Sequence, residues 1–348
     1  MADPRSPGYV SHALLEDGSL VLRVDPDVAG AVEAWRPRFE HPVESPGSAA
    51  ARLVVEPGEP AFASPEDPPL LELRGLRGWV PPPRTHALLA DTTRRVSAVV
   101  DLDARRATVR LADPDAVLAE LAVELSGALS ISAALLLNRL DRALVHAAAV
   151  VAPDGRAWLL AGGTFSGKTT TTLNLIRGGW DWLSDDHVVL GAGPDGELTA
   201  EGWPRPFNLD SGAAGRPTGA RSRVDPAGFG PGRWRRSAPL GGLLLPRVVP
   251  ELPTAVAAAH PAAALGKLVE QSPWLLADPG GARPVLALLE RAARLPAFEL
   301  RLGLDAHLDP RVLHSVLASA LPIGKGAFGP EGDASLDRAA SLSYGPCA

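Results

Sequence analysis

The chain has 348 residues, a formal net charge of −6, and 46% hydrophobic residues. This length provides for two domains or for one large α/β domain with an appendage. The negative charge argues against a general nucleic-acid-binding protein, because such proteins present a basic surface to the phosphate backbone. We therefore expect no nucleic-acid partner.

Cysteine content and hydropathy predict a cytoplasmic protein that does not enter a membrane. The only cysteine is Cys347, which excludes an intrachain disulfide and a cysteine-based metal site. The first ten residues contain no apolar signal segment. Charged and polar residues interrupt the Ala/Leu-rich run at 118–140, so that run predicts a buried helix.

Residues 1–140 are predicted to form a β-rich N-terminal region that ends in a long helix. Two short runs on either side of Asp17-Gly18 predict a hairpin within 8–28. A short helix is expected at 29–35, and strands are expected at 51–55, 70–73, 86–91, 95–102 and 106–110. The pattern at 114–140 predicts one long helix, with Asp113 as N-cap and Pro114 in the first turn.

Residues 157–190 are the most informative stretch. An apolar strand at 158–160 precedes the pattern G-x-x-x-x-G-K-T, which begins at Gly162, and 170–177 continue as a helix. This is the pattern of a phosphate-binding loop, in which backbone N–H groups surround an anion at a helix N-terminus. The predicted nucleotide-binding residues are Gly162, Gly163, Thr164, Phe165, Ser166, Gly167, Lys168, Thr169 and Thr170.

Lys168 and Thr169 are the side chains in this loop that suit phosphoryl transfer. A lysine ammonium can neutralise the β- and γ-phosphates of ATP, and a threonine hydroxyl can bind Mg²⁺. ATP and Mg²⁺ are therefore the expected cofactors. We expect Lys168 to face solvent when the loop is empty.

Two adjacent carboxylates follow at the end of the next predicted strand, in Leu183-Ser184-Asp185-Asp186. Neighbouring residues of a strand point to opposite faces, which predicts different roles for Asp185 and Asp186. Carboxylates just behind a phosphate loop suit Mg²⁺ binding and proton abstraction.

This stretch resembles the HPr kinase/phosphorylase family, bacterial serine kinases whose fold resembles that of ATP-dependent phosphoenolpyruvate carboxykinase. That family has a His-Gly or His-Ala strand, a phosphate loop, a helix and an Ala-Asp-Asp or Ser-Asp-Asp strand. The chain has His146-Ala147 before its loop and Ser184-Asp185-Asp186 after it, so the resemblance covers about residues 142–190.

The resemblance implies a mixed α/β fold, with a phosphoenolpyruvate carboxykinase-like P-loop kinase domain at 141–320. It implies that Asp185 is the general base and that Thr169 and Asp186 hold Mg²⁺. His146 is either a core histidine or, as in the family, a residue near the transferred phosphate. Assisting roles are expected for His146 and for Arg205 or Arg247.

The chain departs from the family at two places. The family has glycine where this chain has Phe165, and a phenylalanine would be strained if that position required a positive φ. The family also supplies a further glutamate for Mg²⁺ and a basic loop for phosphorolysis. Asp210 is the candidate replacement for the glutamate, and the missing basic loop favours kinase activity alone.

The region after the Asp pair is predicted to be loop-rich at 202–241, with a basic cluster at Arg233, Trp234, Arg235 and Arg236. A strand is expected at 242–246, helical pieces at 253–275, a helix at 284–294 and a strand at 297–302. Asp309 and Pro310 predict the start of a helix that continues to residue 320. The Gly/Pro/Ser-rich residues 321–348 predict a disordered tail.

The sequence therefore predicts an ATP-dependent kinase that acts on a serine or threonine hydroxyl of a protein or peptide. Alternatives are a kinase of a small hydroxyl metabolite, a carboxykinase, and a nucleotide-regulated binding protein with weak catalysis. The β-rich region would recruit the substrate or form a contact between copies in a homo-oligomer. The basic cluster would hold an acidic or extended chain.

Overall fold

The structure, a computed structural model, describes residues 9–33, 49–63, 65–73, 75–193, 195–203, 207–210 and 221–323. The chain divides into two compact units. The first contains residues 1–144 and 272–287, and the second contains 145–271 and 288–348. The first unit is therefore built from two separate stretches of chain. Most of the tail at 321–348 lies outside the described residues.

An eight-stranded mixed sheet forms the first unit. Its strands are β1 (Val10–Ala13), β2 (Leu20–Val24), β3 (Ala51–Pro57), β4 (Leu71–Leu73), β5 (Leu76–Trp79), β6 (His86–Asp91), β7 (Val96–Asp101) and β8 (Arg106–Leu111). They lie in the order β1-β2-β3-β8-β7-β6-β5-β4. The predicted hairpin is confirmed, since β1 pairs antiparallel with β2 on either side of Asp17-Gly18.

The helices of this unit are α1 (Ala29–Glu33), α2 (Pro114–Glu120) and α3 (Ala122–Asn138). The Asp113 side chain accepts a hydrogen bond from the Ala116 N–H, which confirms the predicted N-cap. The prediction of one helix over 114–140 is wrong, because Leu121 has φ −122° and ψ 25°, outside the helical region. Neither glycine nor proline marks this break in the sequence.

The second unit is also a mixed α/β structure. Strand β9 (Ala143–Val145) lies at the boundary between the units, and the next strands are β10 (Ala147–Val151), β11 (Ala157–Ala161), β12 (Asp181–Ser184), β13 (Val188–Ala192) and β14 (Leu198–Gly202). A separate hairpin contains β15 (Phe207–Asp210) and β16 (Arg221–Val224). The last strands are β17 (Ser237–Val248), β18 (Ala255–Ala258) and β19 (Ala297–Leu302).

Five further helices follow the phosphate loop or lie between the later strands. They are α4 (Lys168–Arg177), α5 (Pro261–Glu270), α6 (Pro279–Ala293), α7 (Leu304–Leu308) and α8 (Pro310–Ala320). The Asp309 side chain accepts a hydrogen bond from the Arg311 N–H, which confirms the predicted start of α8. Among the described residues, no helix combines the length and the hydropathy needed to cross a bilayer.

Strand directions bring several segments to one edge of the second sheet. Neighbouring strands run in the order β12-β10-β11-β17-β19-β18. Strands β11, β17 and β19 are parallel, and β10 is antiparallel to both β11 and β12. The ends of β12, β11, β17 and β19 therefore lie at the same edge as the start of β10, which we call the carboxyl edge. Ligands of parallel sheets bind at such edges.

The core beneath this edge is apolar and closely packed. It contains Trp158 and Leu160 from β11, Leu175 from α4, and Leu313 and Leu317 from α8, all of them buried. Because large side chains of β11 and α4 are buried together in this core, α4 and the loop before it are held against the sheet.

Two predictions for the later chain need correction. Residues 255–258 form strand β18 and not a helix. The prediction failed because four residues are too few to distinguish the alternation of a strand from a helical turn. Within the predicted loop-rich region, strands β15, β16 and the start of β17 are present. These strands contain Arg, Asn and Pro, which have low or moderate β-propensity. They therefore form because of the strands they pair with and not because of the propensity of their own residues.

Candidate functional site

The phosphate-loop pattern lies between the end of β11 and the start of α4, as its spacing predicts. Gly167 is the N-cap of α4 and has φ 96°, a conformation that disfavours any residue with a Cβ. A Cβ at Gly167 would lie 2.5 Å from Cδ1 of Leu302. One at Gly162 would lie 2.6 Å from the Ser166 Oγ and 3.3 Å from the Pro246 carbonyl oxygen. Both glycines are thus required by the shape of the loop.

Lys168 is buried, and the prediction that it faces solvent is wrong. Its Nζ donates to the Gly162 carbonyl oxygen at 2.6 Å and to the Gly163 carbonyl oxygen at 3.0 Å. A buried ammonium requires acceptors, and these two carbonyls are the nearest acceptors inside the turn. The lysine charge consequently lies within the curve of the loop, where an anion would bind.

The other loop side chains differ in exposure. Thr164 and Thr170 are exposed, whereas Thr169 is half-buried at the second position of α4. A hydroxyl at this position is the one that a phosphate loop offers to Mg²⁺. Thr169 is therefore the loop hydroxyl that could reach such an ion.

Phe165 has a positive φ, the backbone conformation in which a phenylalanine at this position is strained. Its φ is 64°, and 57% of the residue is exposed. For a bulky residue this conformation costs on the order of 1–3 kcal/mol. A large apolar side chain thus projects from the phosphate loop, held there by a backbone conformation that glycine would adopt without strain.

The two carboxylates lie at the carboxyl edge but not within a strand. Strand β12 ends at Ser184, and Asp185 and Asp186 form the bend that follows it. The alternation argument for their different roles is therefore wrong. Their difference comes from burial instead, since Asp185 is 5% exposed and Asp186 is only partly buried.

Two histidines hold Asp186. The Nε2 of His146 lies 3.0 Å from Oδ1 of Asp186, and the Nδ1 of His187 lies 3.1 Å from its Oδ2. The two rings are 5.7 Å apart between centroids. His146 precedes β10, so the strand order accounts for its meeting with the residue that follows β12. Sequence reasoning missed His187, although its position directly after the Asp pair was the available signal.

Hydrogen bonds to neighbouring backbone keep this bend in place. The Ser184 Oγ donates to the Trp203 carbonyl oxygen at 3.3 Å, and the Trp203 N–H donates to the His187 carbonyl oxygen at 3.2 Å. Trp203 itself is fully buried. Residues 203 and 184–187 therefore form one connected block behind the carboxylates. Arg205, a predicted assisting residue, lies outside the described residues, and so does the side chain of Asp210.

The basic cluster forms ion pairs with residues of the same chain. Arg235 pairs with Asp181 at 2.7 Å, and Arg236 pairs with Glu201 at 3.4 Å. The backbone of 233–235 adds to the free edge of β12 through a bridge between Trp182 and Trp234. The guanidinium groups of Arg235 and Arg236 thus form ion pairs within this sheet, whereas the Arg233 side chain is exposed.

Arg247 lies at the carboxyl edge, at the end of β17. It is exposed, and no carboxylate among the described residues forms an ion pair with it. Its neighbour across the parallel pair is Arg301 of β19, whose Nε donates to the Pro253 carbonyl oxygen. Arginines at opposed positions repel each other, so this part of the edge favours an anionic ligand.

The donors at this edge suit Mg²⁺ more than a transition metal. Within the described part of the chain, no three His, Cys, Asp or Glu side chains are grouped to hold a metal ion by themselves. Magnesium in phosphoryl-transfer enzymes is held by one or two carboxylates together with substrate phosphates and water. The Thr169 hydroxyl and the carboxylates of Asp185 and Asp186 are oxygen donors of that kind.

Comparison with known proteins shows distant similarity to solved structures alone. No protein-family model and no curated protein matches the sequence. Among solved structures, the HPr(Ser) kinase/phosphatase from Coxiella burnetii is similar to it at 14% identity and a TM-score of 0.29. The similarity covers 51% of this chain and 94% of that chain. The chain is thus a mixed α/β protein with a distant and partial similarity to an HPr kinase/phosphatase.

Proposed function

We propose that the protein is an ATP-dependent phosphotransferase whose acceptor is a serine or threonine hydroxyl of a protein or peptide. One observation carries the proposal. The phosphate-loop pattern between β11 and α4 and the bend at Asp185-Asp186 lie at the same edge of one sheet, and His146, directly before β10, contacts Asp186. An anion-binding turn next to carboxylates provides both parts that phosphoryl transfer requires.

Lys168 would bind the phosphates of ATP by exchanging acceptors. Its Nζ now donates to the carbonyl oxygens of Gly162 and Gly163. Phosphate oxygens are stronger acceptors because they carry charge, so they replace these carbonyls at little cost in hydrogen bonds. The backbone N–H groups at the start of α4 add to the binding, and the ammonium stabilises the charge that builds up during transfer.

Thr169 and Asp186 would hold Mg²⁺. When bound, this ion neutralises phosphate charge and orients the phosphates for in-line attack. The two histidines that contact Asp186 orient its carboxylate. Each carboxylate oxygen has a second lone pair, so these contacts leave Asp186 able to bind a metal.

Asp185 would act as the general base. The acceptor hydroxyl oxygen forms a bond to the γ-phosphorus, the bond between that phosphorus and the β–γ bridging oxygen breaks, and ADP leaves. The hydroxyl proton passes to a carboxylate oxygen of Asp185. Because Asp185 is nearly buried, it is shielded from bulk water at the point where that proton moves.

Two substitutions at the Asp pair test the proposal. The enzyme is incubated with γ-labelled ATP, serine peptides, cell-extract protein and free serine. Asp185→Asn should retain ATP affinity and lose transfer by a factor of about 10² or more. Asp186→Asn should weaken the dependence on Mg²⁺. Wild-type transfer by Asp185→Asn would remove its assigned role, and transfer to free serine alone would identify a metabolite kinase.

A further inference from the structure

Exposed apolar side chains gather beside the phosphate loop. Val248 is 40% exposed, Leu252 46%, Leu304 41% and Leu308 74%. They lie at the end of β17, on the segment that follows it and on α7, and we call these four residues the apolar rim. Single exposed apolar residues are ordinary in proteins, whereas a group of them at one place marks an interaction surface.

Backbone contacts show that the rim is continuous and that it begins at the phosphate loop. A Cβ at Gly167 would lie 3.2 Å from Cγ2 of Val248. The Leu252 N–H donates to the Val249 carbonyl oxygen, and the Leu304 N–H donates to the Pro250 carbonyl oxygen. Leu304 and Leu308 are four residues apart on α7, so they share one face. The rim therefore extends from the loop along the end of β19.

The catalytic carboxylates lie on the other side of the loop along the same edge. Four strand spacings separate β12 from β19, in the order β12-β10-β11-β17-β19. At about 4.8 Å for each spacing, the bend at Asp185 and the end of β19, where Leu304 and Leu308 of the rim follow, are about 19 Å apart. An extended chain covers this distance with about six residues. A free small metabolite is too short to contact both.

Arg247 lies beside Val248, the residue of the rim that is next to the loop. It is exposed at the end of β17, one strand spacing from β19. Successive residues of a strand point to opposite faces, so Arg247 and Val248 lie on the two sides of the same edge. A chain placed along the edge would meet both. The charge of Arg247 would complement an acidic side chain next to the apolar one.

Resting on the proposed phosphotransferase function, we propose that the apolar rim is the docking site for the acceptor, a peptide segment that lies extended along the carboxyl edge. The segment carries apolar side chains about five or six residues from the phosphorylated hydroxyl and an acidic side chain beside them. The hydroxyl is held at Asp185, the acidic side chain at Arg247 and the apolar side chains on Leu304 and Leu308.

The test measures binding with fluorescein-labelled peptides in the presence of a non-hydrolysable ATP analogue and Mg²⁺. Each peptide has one serine in a Gly/Ala background, with a Leu-Leu-Asp group placed two to eight residues from it on either side. Fluorescence anisotropy should show the tightest binding at a separation of five or six residues. Equal binding at every separation, or no binding by any peptide, overturns the proposal.

Substitutions in the rim supply the second arm of the test. The double variant Leu304→Ser/Leu308→Ser should weaken the best peptide at least about tenfold, and Leu308→Ser alone should weaken it by a smaller factor. Val269→Ser is the matched control, because Val269 is 37% exposed on α5 of the same unit and lies outside the rim. Unchanged peptide binding in the rim variants, with normal unfolding midpoints, would refute the assignment.

Arg247 and the oligomeric state distinguish the remaining explanations. Arg247→Gln should weaken the Leu-Leu-Asp peptide and leave a Leu-Leu-Asn peptide unaffected. A shift from dimer to monomer on light scattering in the rim variants would show instead that a second copy covers the rim. The rim variants should keep wild-type affinity for the ATP analogue by calorimetry. If the wild-type protein itself does not bind the ATP analogue, the phosphotransferase function is refuted separately from the docking site.

Discussion

The Nζ of Lys168 lies 2.6 Å from the carbonyl oxygen of Gly162, so the phosphate loop contains its own cation. Lys168→Ala should lower ATP affinity by at least about tenfold, because the phosphates lose a charged donor. Isothermal titration calorimetry with ATP and Mg²⁺ measures the effect. Lys267→Ala is the control, since Lys267 pairs with Glu270 on α5. Equal affinity in wild type and Lys168→Ala would contradict nucleotide binding by the loop.

Gly167 should tolerate no side chain. Gly167→Ala places a Cβ at φ 96° and 2.5 Å from Leu302, and we expect it to lower the free energy of unfolding by about 1–3 kcal/mol. Gly163→Ala should change stability by less than about 1 kcal/mol, because open space surrounds its Cβ position. Urea unfolding of both variants provides the comparison. A Gly167→Ala protein as stable as the wild type would show that the loop can change shape.

His187 should act by positioning Asp186. His187→Ala removes the contact to Oδ2 and leaves the contact between His146 and Oδ1. We expect kcat to fall about 10- to 100-fold while the KM for ATP stays near its wild-type value. Steady-state kinetics with varied Mg²⁺ should also show weaker metal dependence. If the KM for ATP rises and kcat is unchanged, His187 supports nucleotide binding and not the carboxylate.

An ion pair in the first unit should contribute strongly to its stability. Arg139 donates through Nε and Nη2 to the two carboxylate oxygens of Asp278, at 2.8 and 2.9 Å, and Asp278 is nearly fully buried. Asp278→Asn removes the buried counter-ion of Arg139 and leaves only Asp103, which is 3.8 Å away, so we expect a loss of about 3–5 kcal/mol in the free energy of unfolding.

The matched control for this pair is Glu72→Gln, which breaks the exposed pair with Arg77. Exposed pairs contribute about 0–1 kcal/mol, so the control should unfold at nearly the wild-type urea concentration. If both variants lost a similar amount of unfolding free energy, burial would not determine the strength of the Arg139–Asp278 pair.

Stability should depend on pH through Asp305. The Thr254 hydroxyl donates to this carboxylate, and that hydrogen bond is the main cause holding the pKa of Asp305 below its ordinary value. A carboxylate whose pKa is lowered in the folded state stabilises the protein at pH values above its ordinary pKa. This stabilisation is lost as the pH falls through the lowered pKa. Thr254→Val should raise the pKa of Asp305, as NMR titration would show.

The same variant should unfold more easily at neutral pH, and the difference from wild type should shrink on acidification. Denaturant titrations at pH 7 and at successively lower pH values measure this trend. A difference that grows at low pH would have the wrong sign and would exclude the hydrogen bond as its source.

The phosphate loop and its flanking strand and helix were predictable because local spacing determines them. Glycine positions, a lysine and a helix start all lie within ten residues, and the structure places them as predicted between β11 and α4. The Asp309 cap of α8 was predictable for the same reason. Such features depend on backbone geometry over one or two turns, which residue types encode directly.

The features that sequence reasoning missed depend on residues distant in the chain. Lys168 is buried where its Nζ donates to the Gly162 and Gly163 carbonyl oxygens, and no residue type indicates this burial. The contact between His146 and Asp186 requires the antiparallel pairing of β10 with β12 before the side chains meet. The break at Leu121 likewise follows from tertiary packing, which overrides the uniform helical propensity of its neighbours.

The two stretches of the first unit determine how this protein can be divided experimentally. Because 272–287 belongs to the first unit, these residues separate the two stretches of the second unit, 145–271 and 288–348. A fragment beginning at residue 145 would retain Asp278 but lack Arg139. A protein that contains the second unit alone therefore requires 145–271 and 288–348, joined by a linker in place of 272–287. Any independent folding test of the phosphate-loop unit should be built in that way.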